Sequence, residues 1–534
     1  MAKLILGIDI GTTSLKTAVF TPTGEKVSSA IMEYSLLTPE LGVVEAPCGI
    51  YMDSIAACLR AMEQAGGVCL RDIFTVGFSV QSETMLFLDD QARPVRNAIV
   101  WMDNRAGEQA RQLKERFGDE MCYRVTGQVS FEACWPVAKA MWVRQNEPEV
   151  FSRVRHILLL EDYILYHLTG RFVSECSLLS STEYWDIRTK TYWAEVLAFA
   201  GIDPAWLPEI IEPGQVVGQI LPEAAMQLGL SPDVQICSGC MDQVAAAVGV
   251  GNIHPGMFSE NIGASLAICV PTKKLTYDPN RLMPVHYFAI PNTYMMHTFT
   301  TGGMCLRWFR DSFCQMEMDM QSSTGMDSYY LMDLEAAQVL PGSDGLIALP
   351  HLQGSMAPDV NLNAKGVFYG ATLKHTKSHF IRSIMESLGY IICRNLEAVA
   401  EMDLSVGCIR TMGGGAKSDF WNQIKADITG RTLEITGCAQ DAACLGAAIL
   451  AGVATGVYES VESAVEAMVH VEKQYVPNPE NREVYQRQYK RFKLLFDSLT
   501  GRNRQRSRRI DMYEIIVLER SGTFQHYFVR GVLQ

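Results

Sequence analysis

Two stretches of the sequence, far apart along the chain, each combine short apolar strands with a turn of small residues. The first spans residues 4–20, where the turn Gly11-Thr12-Thr13 separates two β-rich runs. The glycine allows positive φ and close approach of a ligand, and the hydroxyls add donors beside the backbone N–H groups, which suits a phosphate. The second spans residues 257–268, where Gly263-Ala264-Ser265 stands in the corresponding place. This repetition predicts an internal duplication of two related α/β domains, although a similarity this short can also arise by chance.

Asp9 lies at the end of the first of these strands, in an apolar setting. An ionised carboxylate there is costly unless it is paired or faces a cation such as Mg²⁺. Asp9 is therefore a candidate metal ligand. An ordinary hairpin, in which the aspartate caps the turn, explains the spacing equally well.

Length and charge limit the classes of protein to which the chain can belong. At 534 residues it should contain more than one domain, because single hydrophobic cores stop growing near roughly 250–300 residues. The formal net charge of −13 argues against broad binding to nucleic acid or to anionic membranes. The 15 cysteines show no secretory framework, the first residues lack the pattern of a signal peptide, and no uncharged run reaches the roughly 20 residues of a membrane helix. We therefore expect a cytoplasmic protein.

Apolar periodicity predicts helices over 50–66, 136–146, 160–169 and 376–402, among others, and a polar stretch over 315–330. After Leu499 the composition changes and arginines crowd together. This tail is either a segment for nucleic acid or an acidic partner, or a loosely packed extension of a complete two-domain body, and the second interpretation is favoured.

Asp242 is the strongest candidate for chemistry. It ends an apolar strand and precedes a helix of small residues, and strand ends in α/β sheets open into the ligand crevice. A carboxylate there can take the proton from a hydroxyl that attacks a γ-phosphorus. Capping of the following helix is the alternative role.

Polar residues at other strand ends are suited to a sugar or polyol, because hydroxyls need adjacent donors and acceptors. One cluster follows the strand predicted at 73–78, and another lies near 101–105. A solvated turn, a core tryptophan and a structural Asp103–Arg105 pair are the alternative interpretations. The candidate acceptor ligands are Gln81, Ser82, Glu83, Trp101, Asp103, Asp242 and Gln243.

Glycine-rich segments of the second half are candidates for the nucleotide. Three glycines at 413–415 let the backbone lie flat against a purine and ribose, and a helix is predicted to begin near Ser418. This is not a Walker A loop, because Ala416 precedes Lys417, and a flexible turn is the alternative. Together with the two turns, this loop gives the candidate nucleotide ligands Gly11, Thr12, Thr13, Gly263, Ala264, Ser265, Gly414 and Gly415.

Taken together, these motifs resemble those of the FGGY carbohydrate kinases, which include xylulokinases, glycerol kinases, gluconokinases and autoinducer-2 kinases. Residues 134–146 and 366–386 are similar to the two FGGY signatures, in the right order, and Lys139 is among the matching positions. The opening turn resembles the first phosphate loop of the sugar-kinase, actin and heat-shock ATPase superfamily. The segment 239–243 resembles the one that carries the family's catalytic base. Ser82 stands where glycerol kinases have arginine, so the acceptor pocket matches no family pattern in full.

This resemblance, which covers roughly residues 4–498, implies an α/β fold of two actin-like (ribonuclease H-like) ATPase domains with an interdomain cleft. Residues 1–252 would bind the sugar and carry Asp242, residues 253–498 would bind the nucleotide, and residues 499–534 would form an Arg-rich extension. The resemblance also implies ATP and Mg²⁺ as cofactors, with Asp9 and Asp242 as the metal-side carboxylates. It further implies that Gly303, Arg307 and Asp419 contact the nucleotide. It adds a homodimer as an expectation.

The predicted reaction is ATP-dependent phosphorylation of a hydroxyl of a small sugar or polyol, of the ketopentose or polyol class, with Asp242 as general base. An autoinducer-2, glycerol or gluconate kinase is the alternative within the same family. An actin- or chaperone-like ATPase without a sugar acceptor is a further alternative, against which the polar clusters near 81–84 and 101–105 count. No nucleic-acid or membrane partner is expected.

Overall fold

A computed structural model describes residues 3–500, so the Arg-rich stretch predicted as a terminal extension lies almost wholly outside the described residues. The first half of the chain is a mixed α/β unit. Its strands are β1 Leu4–Ile10, β2 Ser14–Phe20, β3 Lys26–Glu33, β4 Glu45–Ala46, β5 Ile73–Val80, β6 Met85–Leu88, β7 Ala98–Ile99, β8 His156–Leu159, β9 Val173–Glu175, β10 Trp185–Asp186, β11 Thr191–Tyr192, β12 Glu209–Ile211, β13 Val216–Gln219, β14 Gln235–Cys237 and β15 Cys240–Met241. Its helices are α1 Ile50–Ala65, α2 Gly107–Phe117, α3 Asp119–Thr126, α4 Pro136–Asn146, α5 Pro148–Arg153, α6 Leu160–Thr169, α7 Cys176–Leu179, α8 Ala194–Ala200, α9 Pro222–Leu228 and α10 Asp242–Gly249.

The second half is also a mixed α/β unit. Its strands are β16 Met257–Ile262, β17 Ser265–Thr272, β18 Val285–Tyr287, β19 Tyr294–Thr301, β20 Ile347–Leu349, β21 Val367–Tyr369, β22 Cys408–Met412, β23 Thr432–Thr436 and β24 Val471–Tyr475. Its helices are α11 Met304–Phe313, α12 Gln315–Thr324, α13 Ser328–Ala336, α14 Lys377–Ala400, α15 Asp419–Thr429, α16 Ala442–Ala454, α17 Val461–Met468 and α18 Arg482–Thr500.

The main sheets of the two halves have the same strand order. The first runs β3-β2-β1-β5-β14-β13, with β15 beside β5, and the second runs β19-β17-β16-β22-β23-β24, with β18 beyond β19. Along both orders the successive pairings are antiparallel, antiparallel, parallel, parallel and antiparallel. A match in both order and direction shows that one fold unit occurs twice, which confirms the predicted pair of actin-like domains.

The two small-residue turns occupy equivalent places in these sheets. One connects β1 to β2, where the Gly11 N–H donates to the carbonyl of Ser14 over 3.0 Å. The other connects β16 to β17, where the Gly263 N–H donates to the carbonyl of Ser265 over 2.9 Å. Both turns lie at the carboxyl ends of the central parallel strands, the edge at which α/β sheets bind ligands.

Helices α10 and α16 join the halves through direct backbone contact. A Cβ atom on Gly446 would lie 1.8 Å from the carbonyl oxygen of Ala245, and one on Gly249 would lie 1.8 Å from that of Ala442. On its other side α16 lies against β1, because a Cβ atom on Gly7 would lie 1.9 Å from the Cys444 carbonyl oxygen. Helix α16 is therefore part of the contact between the halves although it comes late in the chain. The predicted boundary at 252/253 stays a prediction.

The stretch 315–330, predicted only as polar, is helical over most of its length. The Asp327 carboxylate accepts the Tyr329 N–H over 2.7 Å and so caps α13, and Glu317 of α12 forms an ion pair with Lys377 of α14. These contacts offset the weak apolar pattern of the segment. In residues 3–500, no helix is both long enough and apolar enough to cross a bilayer.

Candidate active site

The first turn is bound by side chains from two neighbouring loops. Gln81, which directly follows β5, donates from Nε2 to the carbonyl oxygen of Gly11 over 3.1 Å. Trp101 donates from Nε1 to Oγ1 of Thr12 over 2.8 Å. Residues predicted for phosphate binding and residues predicted for acceptor binding are therefore in direct contact.

Gly11 itself does not use the positive φ that the sequence suggested for it. A Cβ atom at this position would lie 3.2 Å from the carbonyl oxygen of Ser14, so the glycine serves to keep the turn tight. The next two residues extend away from the core, with Thr12 half-buried and Thr13 exposed. The turn thus presents backbone and hydroxyl groups at the sheet edge.

Asp9 lies on β1, two residues before Gly11, where the first turn begins. Its Oδ1 accepts a hydrogen bond from Oγ of Ser79 over 2.7 Å, and Lys16 is its partner in the β1–β2 register. Burial raises the pKa of Asp9, while the Ser79 hydroxyl and the Lys16 charge lower it. The Lys16 ammonium forms an ion pair of 2.8 Å with Asp441, so it does not belong to Asp9 alone.

Asp242 is the first residue of α10 and stands beside the end of β5, because Met241 pairs with Val80. Its Oδ1 accepts the backbone N–H of Gln243 over 2.6 Å. Burial raises the pKa of Asp242 to about 7, and the negative charges of Asp9 and Glu83 add to the rise. The sequence-predicted base and metal-side carboxylate are therefore close enough to act on each other.

Glu83 has a backbone conformation that is uncommon for a side-chain-bearing residue, with φ 59°. Its carbonyl oxygen accepts Nζ of Lys139 over 3.1 Å, and the same ammonium donates to the carbonyls of Val100 at 3.0 Å and Trp101 at 3.3 Å. Burial lowers the pKa of Lys139 to about 8. One lysine of α4 thus holds both predicted acceptor segments, a role that sequence reasoning missed because it noted Lys139 only as a signature position.

The Glu83 carboxyl group has serine neighbours. Burial raises its pKa, whereas hydrogen bonds with the side chains of Ser82 and Ser181 and the charge of Lys139 lower it. Ser181 lies far from Glu83 in sequence, and no motif marked it. Its position next to a predicted acceptor ligand makes it an addition to the candidate site.

Asp103 makes its bonds within the protein. It is fully buried, its Oδ2 accepts the Val44 N–H over 2.6 Å, and Arg105 donates to both of its carboxylate oxygens. Arg105 also forms an ion pair of 2.8 Å with the carboxylate of Glu45. The structure therefore shows Asp103 as an anchor of the loop that carries Trp101, and direct contact with an acceptor stays a prediction.

The second turn is surrounded by the glycine segments predicted for the nucleotide. A Cβ atom on Gly303 would lie 2.5 Å from the carbonyl oxygen of Gly263. The N–H of Met304 donates to the carbonyl oxygen of Ala264 over 3.0 Å. A Cβ atom on Gly415 would lie 2.8 Å from Cβ of Ile262, just before the turn. Three segments that are far apart in sequence therefore meet around residues 263–265, which are themselves exposed.

Two predicted nucleotide ligands point to protein partners instead. Asp419 begins α15, and its carboxylate accepts Lys473 at 2.7 Å and the Tyr475 hydroxyl at 2.5 Å. Arg307 is 69% exposed and lies 3.7 Å from Asp311. Their roles in binding stay predictions, whereas Gly414 lies in the loop that packs against the second turn.

A short chain of polar contacts connects β2, which follows the first turn, to the loop that packs against the second turn. Lys16, opposite Asp9, donates to the carbonyl oxygen of Gln440 over 2.8 Å, and Nε2 of Gln440 donates to that of Gly413 over 2.7 Å. On the other side of the site, the Cys269 thiol of β17 contacts the Gln243 carbonyl at 3.7 Å. The residues around Asp242 therefore border both halves of the molecule.

The carboxylates of Asp9 and Asp242 are suitable ligands for a hard cation that keeps most of its water ligands. Asp9 and Asp242 supply carboxylate oxygens, which Mg²⁺ prefers, both are partly buried, and neither has a dedicated cationic partner among the residues that the structure describes. Within residues 3–500 there is no group of three or more His, Cys, Asp or Glu side chains that could enclose a metal. These two carboxylates are compatible with a magnesium ion whose other ligands are phosphate oxygens and water.

Comparison with known proteins decides the family. Residues 4–249 match the N-terminal domain, and residues 269–455 the C-terminal domain, of the FGGY family of carbohydrate kinases. The chain belongs to this family. As an FGGY kinase it is an ATP-dependent carbohydrate kinase, and the recognition made from its motifs is confirmed.

Named relatives differ in their substrates. The FGGY kinase is 30% identical to a gluconokinase of Bacillus licheniformis over 91% of this chain and 94% of that protein. Its structure resembles a xylulose kinase of Lactobacillus acidophilus with a TM-score of 0.85 and 26% identity, covering 94% of this chain and 99% of that one. A gluconate kinase of the same organism gives a TM-score of 0.84 and 25% identity, covering 95% and 100%. Overall similarity therefore does not choose the acceptor.

Proposed function

We propose that the protein transfers the γ-phosphoryl group of ATP to a hydroxyl of a small sugar or polyol, of the ketopentose or polyol class, with Asp242 as general base. The observation that carries this proposal is the placement of Asp242. It stands at the start of α10, beside the strand end that leads to Gln81, and its pKa is raised to about 7. A base with a pKa near the working pH combines a useful ionised fraction with proton affinity.

The acceptor would lie among Gln81, Ser82, Glu83 and Trp101, whose loops are fixed by Lys139 and by the first turn. Its attacking hydroxyl gives its proton to the Asp242 carboxylate while the new O–P bond forms and the bond from the γ-phosphorus to ADP breaks. Little covalent work falls to the protein, so positioning and neutralisation of charge supply most of the rate.

The phosphates would lie between the turns 11–13 and 263–265, whose N–H and hydroxyl groups are donors to anionic oxygens. Asp9 and Asp242 would hold Mg²⁺ through water, and the ion would supply charge neutralisation at the β- and γ-phosphates. The 413–415 loop, packed on the second turn, is the proposed seat of the nucleoside. A sugar-binding unit over 1–252 and a nucleotide-binding unit over 253–498 complete this proposal.

Replacement of Asp242 tests the base directly. We expect Asp242→Asn to lower phosphoryl transfer by about 10²–10⁴-fold, the usual contribution of a general base, while ATP binding measured by calorimetry is retained. Asp90→Asn, in an exposed turn of the same half, is the matched control and should behave as the wild type. Full transfer activity of Asp242→Asn would refute the assignment.

The gluconokinase similarity favours one rival acceptor, an aldonate. Aldonates and the proposed ketopentose or polyol acceptors both carry a chain of hydroxyls, and they differ because an aldonate has a carboxylate charge. An ADP-release assay over pentuloses, polyols and aldonates distinguishes the two classes.

A further inference from the structure

The strand that leads to Asp242 contains one residue more than its neighbour. In the pairing of β14 with β5, Ile236 lies opposite Val76, and in the pairing of β15 with β5, Cys240 lies opposite Ser79. The chain takes four steps from 236 to 240 and three from 76 to 79, which is the pattern of a β-bulge. Bulges beside active sites redirect side chains, so this one bears on where the Asp242 carboxylate lies.

Two buried side chains take the place of a strand along the outer side of β15. Within the described residues, β15 pairs only with β5. The Gly239 N–H donates to Oε1 of Glu161, the second residue of α6, over 2.6 Å, and the Met241 N–H donates to Oγ of Ser177 in α7 over 2.9 Å. Glu161 and Ser177 are both buried. Because a buried N–H without an acceptor is costly, these two bonds determine the path of the segment.

Ser177 is itself fixed by Glu175, which caps α7. Oε1 of Glu175 accepts the Ser177 hydroxyl proton over 2.8 Å, and Oε2 accepts the Ser177 N–H over 2.6 Å. The Leu178 N–H also donates to Oε1, over 2.6 Å. Since the only proton of the hydroxyl is donated to Glu175, its lone pairs are left to accept the Met241 N–H. The bonds from Met241 through Ser177 to Glu175 therefore all run in one direction.

The same segment lies directly against the backbone of β5. A Cβ atom on Gly239 would lie 1.8 Å from the carbonyl oxygen of Phe78, and Met241 pairs with Val80. The segment is thus held between a strand and two side chains, and Asp242 is the next residue after it. The backbone position of Asp242, and with it the position of its carboxylate, depends on these contacts.

We propose that Ser177 and Glu161 are positioning residues for the reaction, which hold the backbone before Asp242 so that its carboxylate meets the acceptor hydroxyl. This inference rests on the proposed function and adds the groups through which its base is placed. A displacement of about 1 Å at a reacting group can lower a rate by about 10²-fold. The loss of a backbone bond one residue before the base should therefore slow the chemical step.

Ser177→Ala removes the acceptor of the Met241 N–H without adding any atom. The rate of phosphoryl transfer in a single turnover, at saturating ATP, is measured with whichever of D-xylulose, D-ribulose, xylitol, glycerol and D-gluconate gives the fastest ADP release. We expect Ser177→Ala to lower this rate by about tenfold or more and to leave the KM for ATP within about twofold. An unchanged transfer rate would overturn the inference.

Ser180→Ala is the matched control. Ser180 directly follows α7 and is buried like Ser177, and its Oγ also accepts a backbone N–H over 2.9 Å, but that N–H belongs to Tyr287 of the second half. We expect both variants to lose thermal stability to a similar degree and only Ser177→Ala to lose transfer rate. An equal loss of rate in both would show the general effect of a lost buried bond and would sink the inference.

A pair of variants tests Glu161 in the same assay. Glu161→Gln keeps an oxygen that can accept the Gly239 N–H, whereas Glu161→Met has a similar length and no such acceptor. We expect Glu161→Gln to retain most of the transfer rate and Glu161→Met to lose about tenfold or more. Equal rates in these two variants would refute the role of Glu161.

A double-mutant cycle tests whether Ser177 acts through Asp242. We expect Ser177→Ala to slow transfer much less in an Asp242→Asn background than in the wild type, because the base that it positions is then absent. The same slowing in both backgrounds overturns the inference and leaves the general base intact. Full activity of Asp242→Asn, or transfer to none of the five compounds with ATP still bound, overturns the proposed function and the inference with it.

Discussion

Asp242 combines a place at the sheet edge, which the sequence pattern predicts, with a raised pKa, which depends on how the surrounding elements pack. Burial is the main cause of the rise to about 7, and the charges of Asp9 and Glu83 contribute further. The raised pKa follows from the packing of neighbouring strand ends, because Asp9 and Glu83 act on Asp242 although all three are far apart in the sequence.

We expect the pH dependence of kcat/KM for the acceptor to reflect this group. The ionised carboxylate accepts the proton, so activity should be low below the pKa of Asp242 and rise tenfold per pH unit towards a plateau above about 7. Initial rates between pH 5 and 9, at saturating ATP and low acceptor concentration, measure the profile. A flat profile below pH 7 would contradict the assignment.

The same raised pKa has a consequence for stability. The folded-state pKa of Asp242 is about 7 and its ordinary value is 3.8, so this group favours the folded state at low pH, and that contribution is lost as pH rises through about 7. We therefore expect Asp242→Asn to be more stable relative to the wild type at pH 8 than at pH 5. Urea unfolding of both proteins at the two pH values measures this difference, and an advantage that does not change with pH would count against the raised pKa.

Much of the site was predictable at the residue scale, and the missing parts share one physical cause. Asp9, Asp242 and the two turns are recognisable because each carries its signal within a few neighbouring residues. The role of Lys139, by contrast, lies in contacts with carbonyls 38 to 56 residues away. Such pairings depend on how elements pack, and no local pattern encodes them.

Helix α4 holds the two predicted acceptor segments through Lys139. Replacement by methionine keeps the length of the side chain but leaves three backbone carbonyls without their donor. We expect Lys139→Met to raise the KM for the acceptor by about tenfold, to leave the KM for ATP within about twofold, and to lower the free energy of unfolding by about 3 kcal/mol. Kinetics with each substrate varied separately, together with urea unfolding, provide the measurement.

Lys114→Met is the matched control for that experiment, because Lys114 lies on the exposed side of α2 in a long 3.5 Å ion pair with Asp119. It should change neither KM value. Equal effects of Lys139→Met on both KM values would show a general loss of structure instead of a role at the acceptor segments.

The contact between α10 and α16 depends on residues without side chains. We expect Gly446→Ala to destabilise the protein by about 1–3 kcal/mol or more, since its methyl group would meet the backbone of Ala245, which cannot move aside as a side chain can. Gly107→Ala, at the start of α2 with no atom near the added methyl group, should be neutral or slightly stabilising. Thermal unfolding of the two variants decides the point, and equal melting temperatures would contradict the close packing.

At the scale of elements, the sequence predicted whether a segment is a helix or a strand better than it predicted how these elements pack together. The helices 136–146 and 160–169 were located to the residue, because their apolar spacing and flanking residues agree. The helices within 315–330 were missed, since caps and an ion pair stabilise them more than periodicity does. The repeat of strand order became certain only from the pairings, because two matching turns cannot specify six strands.

On the scale of the whole molecule, two copies of one fold unit carry equivalent turns at the carboxyl ends of their central strands. The Lys16–Gln440–Gly413 contacts join β2, which follows the first turn, to the loop that packs against the second, and Asp242 borders both halves. The proposed arrangement, with the triphosphate between the halves and the acceptor on the side of the first, agrees with these contacts.

The central claim is that both turns bind one triphosphate and that Asp242 faces the acceptor. The most direct measurement is a crystal structure of the complex with Mg²⁺, a non-hydrolysable ATP analogue and an acceptor identified by the ADP-release assay. We expect N–H groups of the turns 11–13 and 263–265 at about 2.7–3.2 Å from oxygens of the same triphosphate, and the Asp242 carboxylate at hydrogen-bond distance from the acceptor hydroxyl nearest the γ-phosphorus. A triphosphate bound by one turn alone, or an Asp242 carboxylate turned away from the acceptor, would contradict the claim.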